Sequence, residues 1–171
     1  LGLTVADKKE SREICFVPDN DYASFIEKRV GEKNFHEGDI VNADGEILGR
    51  HRGYPAFTIG QRKGLNIGGL KEPHYVTGID PEKNEITVGL KNSLYRSDFF
   101  VNKVNWYLPR QGVFETQVQI RYLHSGSTAK VKPLPGERAH VEFFEPQLSI
   151  TPGQSAVFYV DDCIVGGGWI E

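Results

Sequence analysis

Methionine is absent from the chain, and cysteine nearly so, with Cys15 and Cys163 its two examples. A gene product normally begins with methionine, so a chain that opens on Leu1 and contains none is expected to be a fragment of a longer protein. Two cysteines far apart in sequence cannot supply the disulfide framework of a small secreted domain, which points to reduced thiols and a cytoplasmic setting. No apolar run approaches the roughly 20 residues of a membrane-spanning helix, and no signal-peptide pattern stands at the start, so no membrane is expected as a partner. An excess of positive charge is missing as well. Lys plus Arg number 20 against 23 acids, a net charge of -3, so any nucleic-acid surface has to be a local patch.

Two further absences narrow the chemistry. His36, His51, His74, His124 and His140 are scattered, none close to another or to a cysteine at ligand spacing, so no metal is expected. No Gly-x-x-x-x-Gly-Lys-Ser/Thr phosphate loop occurs. Gly64-Leu65-Asn66-Ile67-Gly68-Gly69 has the glycines of a nucleotide loop but not the preceding strand and following helix, and reads better as tight backbone turns.

What is present is mostly β-structure. Asp19 or Asn20 can cap one helix, with Tyr22, Phe25, Ile26 and Val30 on a single face and Gly31 to stop it. Ile40-Val41 and Ile47-Leu48 flank Asp44-Gly45, a hairpin-turn dipeptide. A glycine-rich irregular stretch follows, then a second hairpin of Tyr75 to Ile79 and Glu85 to Val88. The last third holds candidate strands at Phe99 to Trp106, Thr116 to Leu123, Thr128 to Pro133, Ala139 to Phe144, Ala156 to Val160 and Cys163 to Gly166. Their short, regular spacing predicts a small barrel or sandwich. We therefore expect a tail over 1–30, a middle β domain over 31–97 and a C-terminal β domain, barrel or sandwich, over 98–171.

Alternation along Thr116 to Leu123 puts Thr116, Val118, Ile120 and Tyr122 on one face, suited to a core. Gln117, Gln119 and Arg121 fall on the other, suited to solvent or a polar ligand. Arg50-His51-Arg52, Arg62-Lys63 and Lys130 with Lys132 could neutralise phosphates. Tyr54, Trp106 or Tyr122 could stack on unpaired bases. Ordinary solvated charge explains the basic groups equally well. Cys15 also has two readings: a thiol activated by Lys8, Lys9 and Arg12, opposed by Glu10 and Glu13, or a small apolar residue between Ile14 and Phe16. Cys163, beside Ile164 and Val165, is expected to pack in a strand without chemistry.

Four segments, in order, resemble the bacterial-type tRNA-specific 2-thiouridylases. They are Glu13-Ile14-Cys15-Phe16; Gly38-Asp39-Ile40-Val41 through Gly49-Arg50-His51; Phe57-Thr58-Ile59-Gly60-Gln61-Arg62-Lys63-Gly64-Leu65, ending in Ile67-Gly68-Gly69; and Glu145-Pro146-Gln147 with Thr151-Pro152-Gly153-Gln154-Ser155-Ala156-Val157-Phe158-Tyr159 and Gly166-Gly167-Gly168. The resemblance implies a mainly β fold, a small middle domain and a barrel like those of translation factors, with a short N-terminal helix. It implies an enzyme that activates the wobble uridine with ATP and replaces its C2 oxygen by sulfur from a cysteine persulfide. ATP and a first catalytic cysteine would belong to an N-terminal domain that this chain lacks, so the chain alone is expected to be inactive. Cys15 matches the persulfide-carrying cysteine, and Arg121, Tyr122 and Gln154 match tRNA-contacting positions; Arg62 and Lys63 are added as RNA-binding candidates. The implied partners are tRNA and a persulfide-donating sulfur-relay protein. Before Ile14, the chain has Ser11-Arg12-Glu13 where the family often has Ser-Thr-Gly.

Overall fold

The computed structural model describes residues 17, 22–31, 35–107, 112–122 and 124–171; Cys15, Asp19 and Asn20 lie outside them. Helix α1 (Tyr22–Val30) is the one α-helix among the described residues. It closes with the Gly31 N–H donating to the Glu27 carbonyl at 3.1 Å. On its surface the Arg29 guanidinium sits 5.0 Å from the Phe25 ring centre.

Two hairpins build the first sheet: β1 (Gly38–Val41) with β2 (Ile47–His51), and β3 (Tyr75–Asp80) with β4 (Glu85–Gly89). Both turns are held by a side chain that caps them. Asn42 Oδ1 accepts the N–H groups of Asp44 and Glu46 at 3.0 and 2.9 Å. Asp80 Oδ1 accepts those of Glu82 and Lys83 at 3.0 and 3.1 Å. Short polar side chains offer the backbone this local partner, which is why they mark turns. The hairpins join through a parallel pairing of β1 with β4, giving the order β2-β1-β4-β3. Ile40, Val76, Ile86 and Val88 bury one face of this sheet, and Leu65 reaches it from the glycine-rich stretch.

The second unit is a closed barrel. Its strands are β5 (Tyr95–Trp106), β6 (Phe114–Gln119), β7 (Ser127–Leu134), β8 (Arg138–Leu148), β9 (Ser155–Val160) and β10 (Cys163–Ile170), in the order β10-β5-β8-β7-β6-β9. Closure pairs every strand on both sides and leaves no open edge. Alternate residues point inward: Val118, Val131, Val141 and Phe158 are all fully buried. Phe158 stacks on Trp106 at 5.4 Å between ring centres. Burying a side chain of that size contributes roughly 1.5–3 kcal/mol. Trp106 thus packs against the barrel core, and the sequence reading of it as a base-stacking residue is corrected.

The chain is mainly β, a small sheet followed by a barrel, as expected. Several boundaries differ: β5 starts at Tyr95 and not Phe99, and β8 runs on to Leu148 past Phe144. Strand β10 runs on to Ile170 through three glycines, which carry low strand propensity. At Gly168 a Cβ would meet the Asn102 carbonyl oxygen at 2.4 Å, so the neighbouring strand comes too close for any side chain. Strand β6, by contrast, stops at Gln119.

Candidate functional site

The Thr58-to-Leu65 motif is a built loop. Gln61 holds it twice over: its side-chain oxygen accepts the Thr58 N–H at 3.1 Å and its amide donates to the Lys63 carbonyl at 2.9 Å. The loop is hooked to β3, with Gly60 N–H donating to the Val76 carbonyl at 2.8 Å and Val76 N–H to the Gln61 carbonyl at 2.9 Å. Gly60 turns at φ +86°, and a Cβ there would meet Ser149 Oγ of the barrel at 2.7 Å. The motif therefore requires glycine where the loop touches the barrel.

On the barrel side, Thr151-Pro152-Gly153-Gln154 forms a turn closed by Gln154 N–H to the Thr151 carbonyl at 3.2 Å, with Gly153 at φ 81°. Proline then glycine at the two central positions is what a type II turn selects. The turn delivers Gln154, exposed, to the start of β9.

Beyond β6 the chain leaves the ladder, and the Arg121 carbonyl accepts the His124 N–H at 3.2 Å. Strand alternation no longer applies there. Tyr122, expected on the core face, is 65% exposed beside exposed Arg121, which corrects the assignment of its face. Arg121 Nη1 donates to the Leu148 carbonyl at 2.8 Å, fixing the guanidinium against the end of β8. His124 Nε2 lies 3.0 Å from Gln147 Oε1, so the Glu145-Pro146-Gln147 motif braces the same corner. Arg121 and Gln154 line one recess of about 370 Å³, together with Thr58 and Ile59 of the loop. The sequence candidates Arg121 and Gln154 are thus brought together, with Tyr122 next in chain.

The other candidates stand apart from that recess. Arg62 and Lys63 are exposed further along the loop, and Arg62 borders a separate recess with Glu72 and His74. His51 is not a surface cation. It is buried; its Nδ1 accepts the Gly53 N–H and its Nε2 faces the Asn84 carbonyl, each at 3.1 Å. A carbonyl only accepts, so the ring is neutral with its proton on Nε2. Burial lowers its pKa below the usual histidine value, outweighing the Asn84 contact, which raises it. Arg50 lies 3.8 Å from Asp39, and Lys130 sits 5.3 Å from the Phe144 ring centre. Cys163 is exposed at the start of β10, not packed within the strand. Among the described residues no group of three or more His, Cys, Asp or Glu is placed to hold a metal.

The chain matches two family models, the tRNA methyl transferase PRC-barrel domain over residues 23–90 and the Aminomethyltransferase beta-barrel domain over residues 96–170. Those descriptions name methyl and aminomethyl transfer. Its relatives carry a different one. It is 44% identical over its whole length to a protein named tRNA-specific 2-thiouridylase MnmA 2 of Syntrophus aciditrophicus. It is 47% and 45% identical, over 99% of its length, to proteins named tRNA-specific 2-thiouridylase MnmA of Geotalea uraniireducens and Carboxydothermus hydrogenoformans. The chain belongs to the tRNA-specific 2-thiouridylase family. These alignments run over nearly the whole chain, whereas each domain description covers one part of it. This 2-thiouridylase-family chain spans about half the length of the curated relatives it matches, covering 56%, 45% and 47% of these three.

Proposed function

We propose that the chain is the C-terminal, tRNA-holding part of an ATP-dependent sulfurtransferase that makes 2-thiouridine at the wobble position. In this reading Cys15 carries sulfur as a persulfide received from a sulfur-relay protein in the cytoplasm. The outer sulfur then attacks C2 of a uridine whose oxygen has been activated, and that oxygen leaves with AMP. The thiol of the first catalytic cysteine, outside this chain, attacks Cys15 Sγ, so the S–S bond breaks, the sulfur stays on C2 and the two cysteines are left as a disulfide. The chain has no phosphate loop of its own, so ATP would be held outside it, and the chain alone would be inactive. Arg121, Tyr122 and Gln154 contact the tRNA, with Arg62 and Lys63 adding positive charge on the neighbouring loop.

The observation that supports this most is the meeting of Arg121 and Gln154 in one recess, with an exposed aromatic ring at the strand end beside them. An anchored guanidinium offers directed donors to a phosphate or base edge. An exposed tyrosine offers a face on which an unpaired base can stack.

The test is steady-state thiolation of tRNA by the full-length enzyme. Arg121→Ala and Tyr122→Ala should each raise KM for tRNA about tenfold with little change in kcat, since they remove binding and not chemistry. Unchanged KM in both would place the tRNA elsewhere.

A further inference from the structure

A second recess of about 590 Å³ lies between the small sheet and the barrel. It adjoins the first, because Thr58, Ile59, Thr151 and Gln154 line both. Its walls combine apolar surface from Ile79, Leu94 and Ile150, the ring of Phe57, and the hydroxyl-bearing Thr77 and Ser93. Its volume is that of a small-molecule site.

The charge in the two recesses is unusual for this chain. Acids outnumber bases overall, yet among the described lining residues no Asp or Glu occurs, and Arg96 and Arg121 are the cations, one in each recess. Arg96 is exposed, and among the described residues it has no carboxylate partner. An unpaired guanidinium at the mouth of an acid-free, partly apolar cleft suits a ligand with a flat apolar ring and a phosphate.

We propose that this cleft is a second RNA subsite, taking an unpaired nucleotide with its base against Phe57 and Ile79 and its phosphate on Arg96. The inference rests on the reading of Arg121 and Gln154 as tRNA contacts, and extends it across the junction of sheet and barrel. An RNA strand leaving the Arg121 recess past Gln154 would enter the cleft directly. Unstacked bases are the usual currency of RNA recognition by side chains, and a pocket with mixed walls accepts them where a flat basic surface would not.

The experiment is titration of unthiolated tRNA with the full-length protein at several salt concentrations, for wild type, Arg96→Ala, Ser93→Trp and Arg121→Ala. Circular dichroism and melting check the fold of each. Arg96→Ala should weaken binding about fivefold and reduce the salt slope by about one. Ser93→Trp fills the cleft from an exposed position, and should weaken binding by a similar factor without altering the slope. Wild-type affinity in both, with Arg121→Ala weakened, overturns the subsite and leaves the Arg121 reading standing. Wild-type affinity in all three overturns both. Should Ser93→Trp fail to fold, the Arg96→Ala slope alone decides.

Discussion

The guanidinium of Arg121 is bonded to the carbonyl of Leu148, 27 positions further along the chain, through a single 2.8 Å contact. That contact uses one nitrogen and holds the plane of the group in place, leaving its other donors for a ligand. A lysine could keep the charge but not the fork. Arg121→Lys should therefore weaken tRNA binding several-fold, on the order of 1 kcal/mol, while leaving the salt dependence close to wild type. Filter binding across a salt series separates the two effects.

Gly60 turns at φ +86° with Ser149 Oγ where a Cβ would need to be. Gly60→Ala should destabilise the protein by about 1–3 kcal/mol, from backbone strain and the clash together. Urea unfolding measures it. Adding Ser149→Ala, which removes the Oγ and leaves that residue's own positive φ of 54° unrelieved, should recover much of the clash but not the strain at position 60.

His51 is held neutral with its pKa lowered, chiefly by burial. Below the usual histidine value of about 6.5, the unfolded state binds the proton and the folded state resists it, so stability should fall as pH drops through that point. Melting temperature followed from pH 8 toward acid should show this decline, and a His51→Gln variant should show a flatter one.

Phe158 fills the barrel interior against Trp106. Phe158→Ala should cost about 3–5 kcal/mol. The loss should appear in thermal unfolding, and filling of the cavity by Trp106 should shift its fluorescence.

Local pattern made much of the fold legible. The hairpin around Asp44-Gly45, helix α1 and most barrel strands follow from alternation, turn residues and spacing. Pairings between distant segments do not, and so the parallel contact of β1 with β4 could not be read. Closure of the barrel, rather than a sandwich, is likewise set by strands far apart in sequence. Tyr122 shows the limit most clearly. Alternation put it in the core, but the rule ends with the ladder at Gln119.

At the site, the resemblance named Arg121 and Gln154, and the fold places them on one recess. Arg96 carried no sequence signal, since a lone arginine between Tyr95 and Ser97 looks like any solvated charge. Only the junction of sheet and barrel singles it out. His51 and Trp106 erred the other way: residue type suggested RNA chemistry, while burial turned both into packing groups.

In the proposed reaction Cys15 carries the sulfur and the β domains hold the tRNA, and thiolation and binding can be measured side by side. Full-length enzyme with ATP, tRNA and a persulfide donor should form 2-thiouridine, and Cys15→Ser should abolish it while tRNA affinity stays at the wild-type value. Thiolation continuing at the wild-type rate in Cys15→Ser would rule out Cys15 as the sulfur carrier and leave the chain with RNA binding alone.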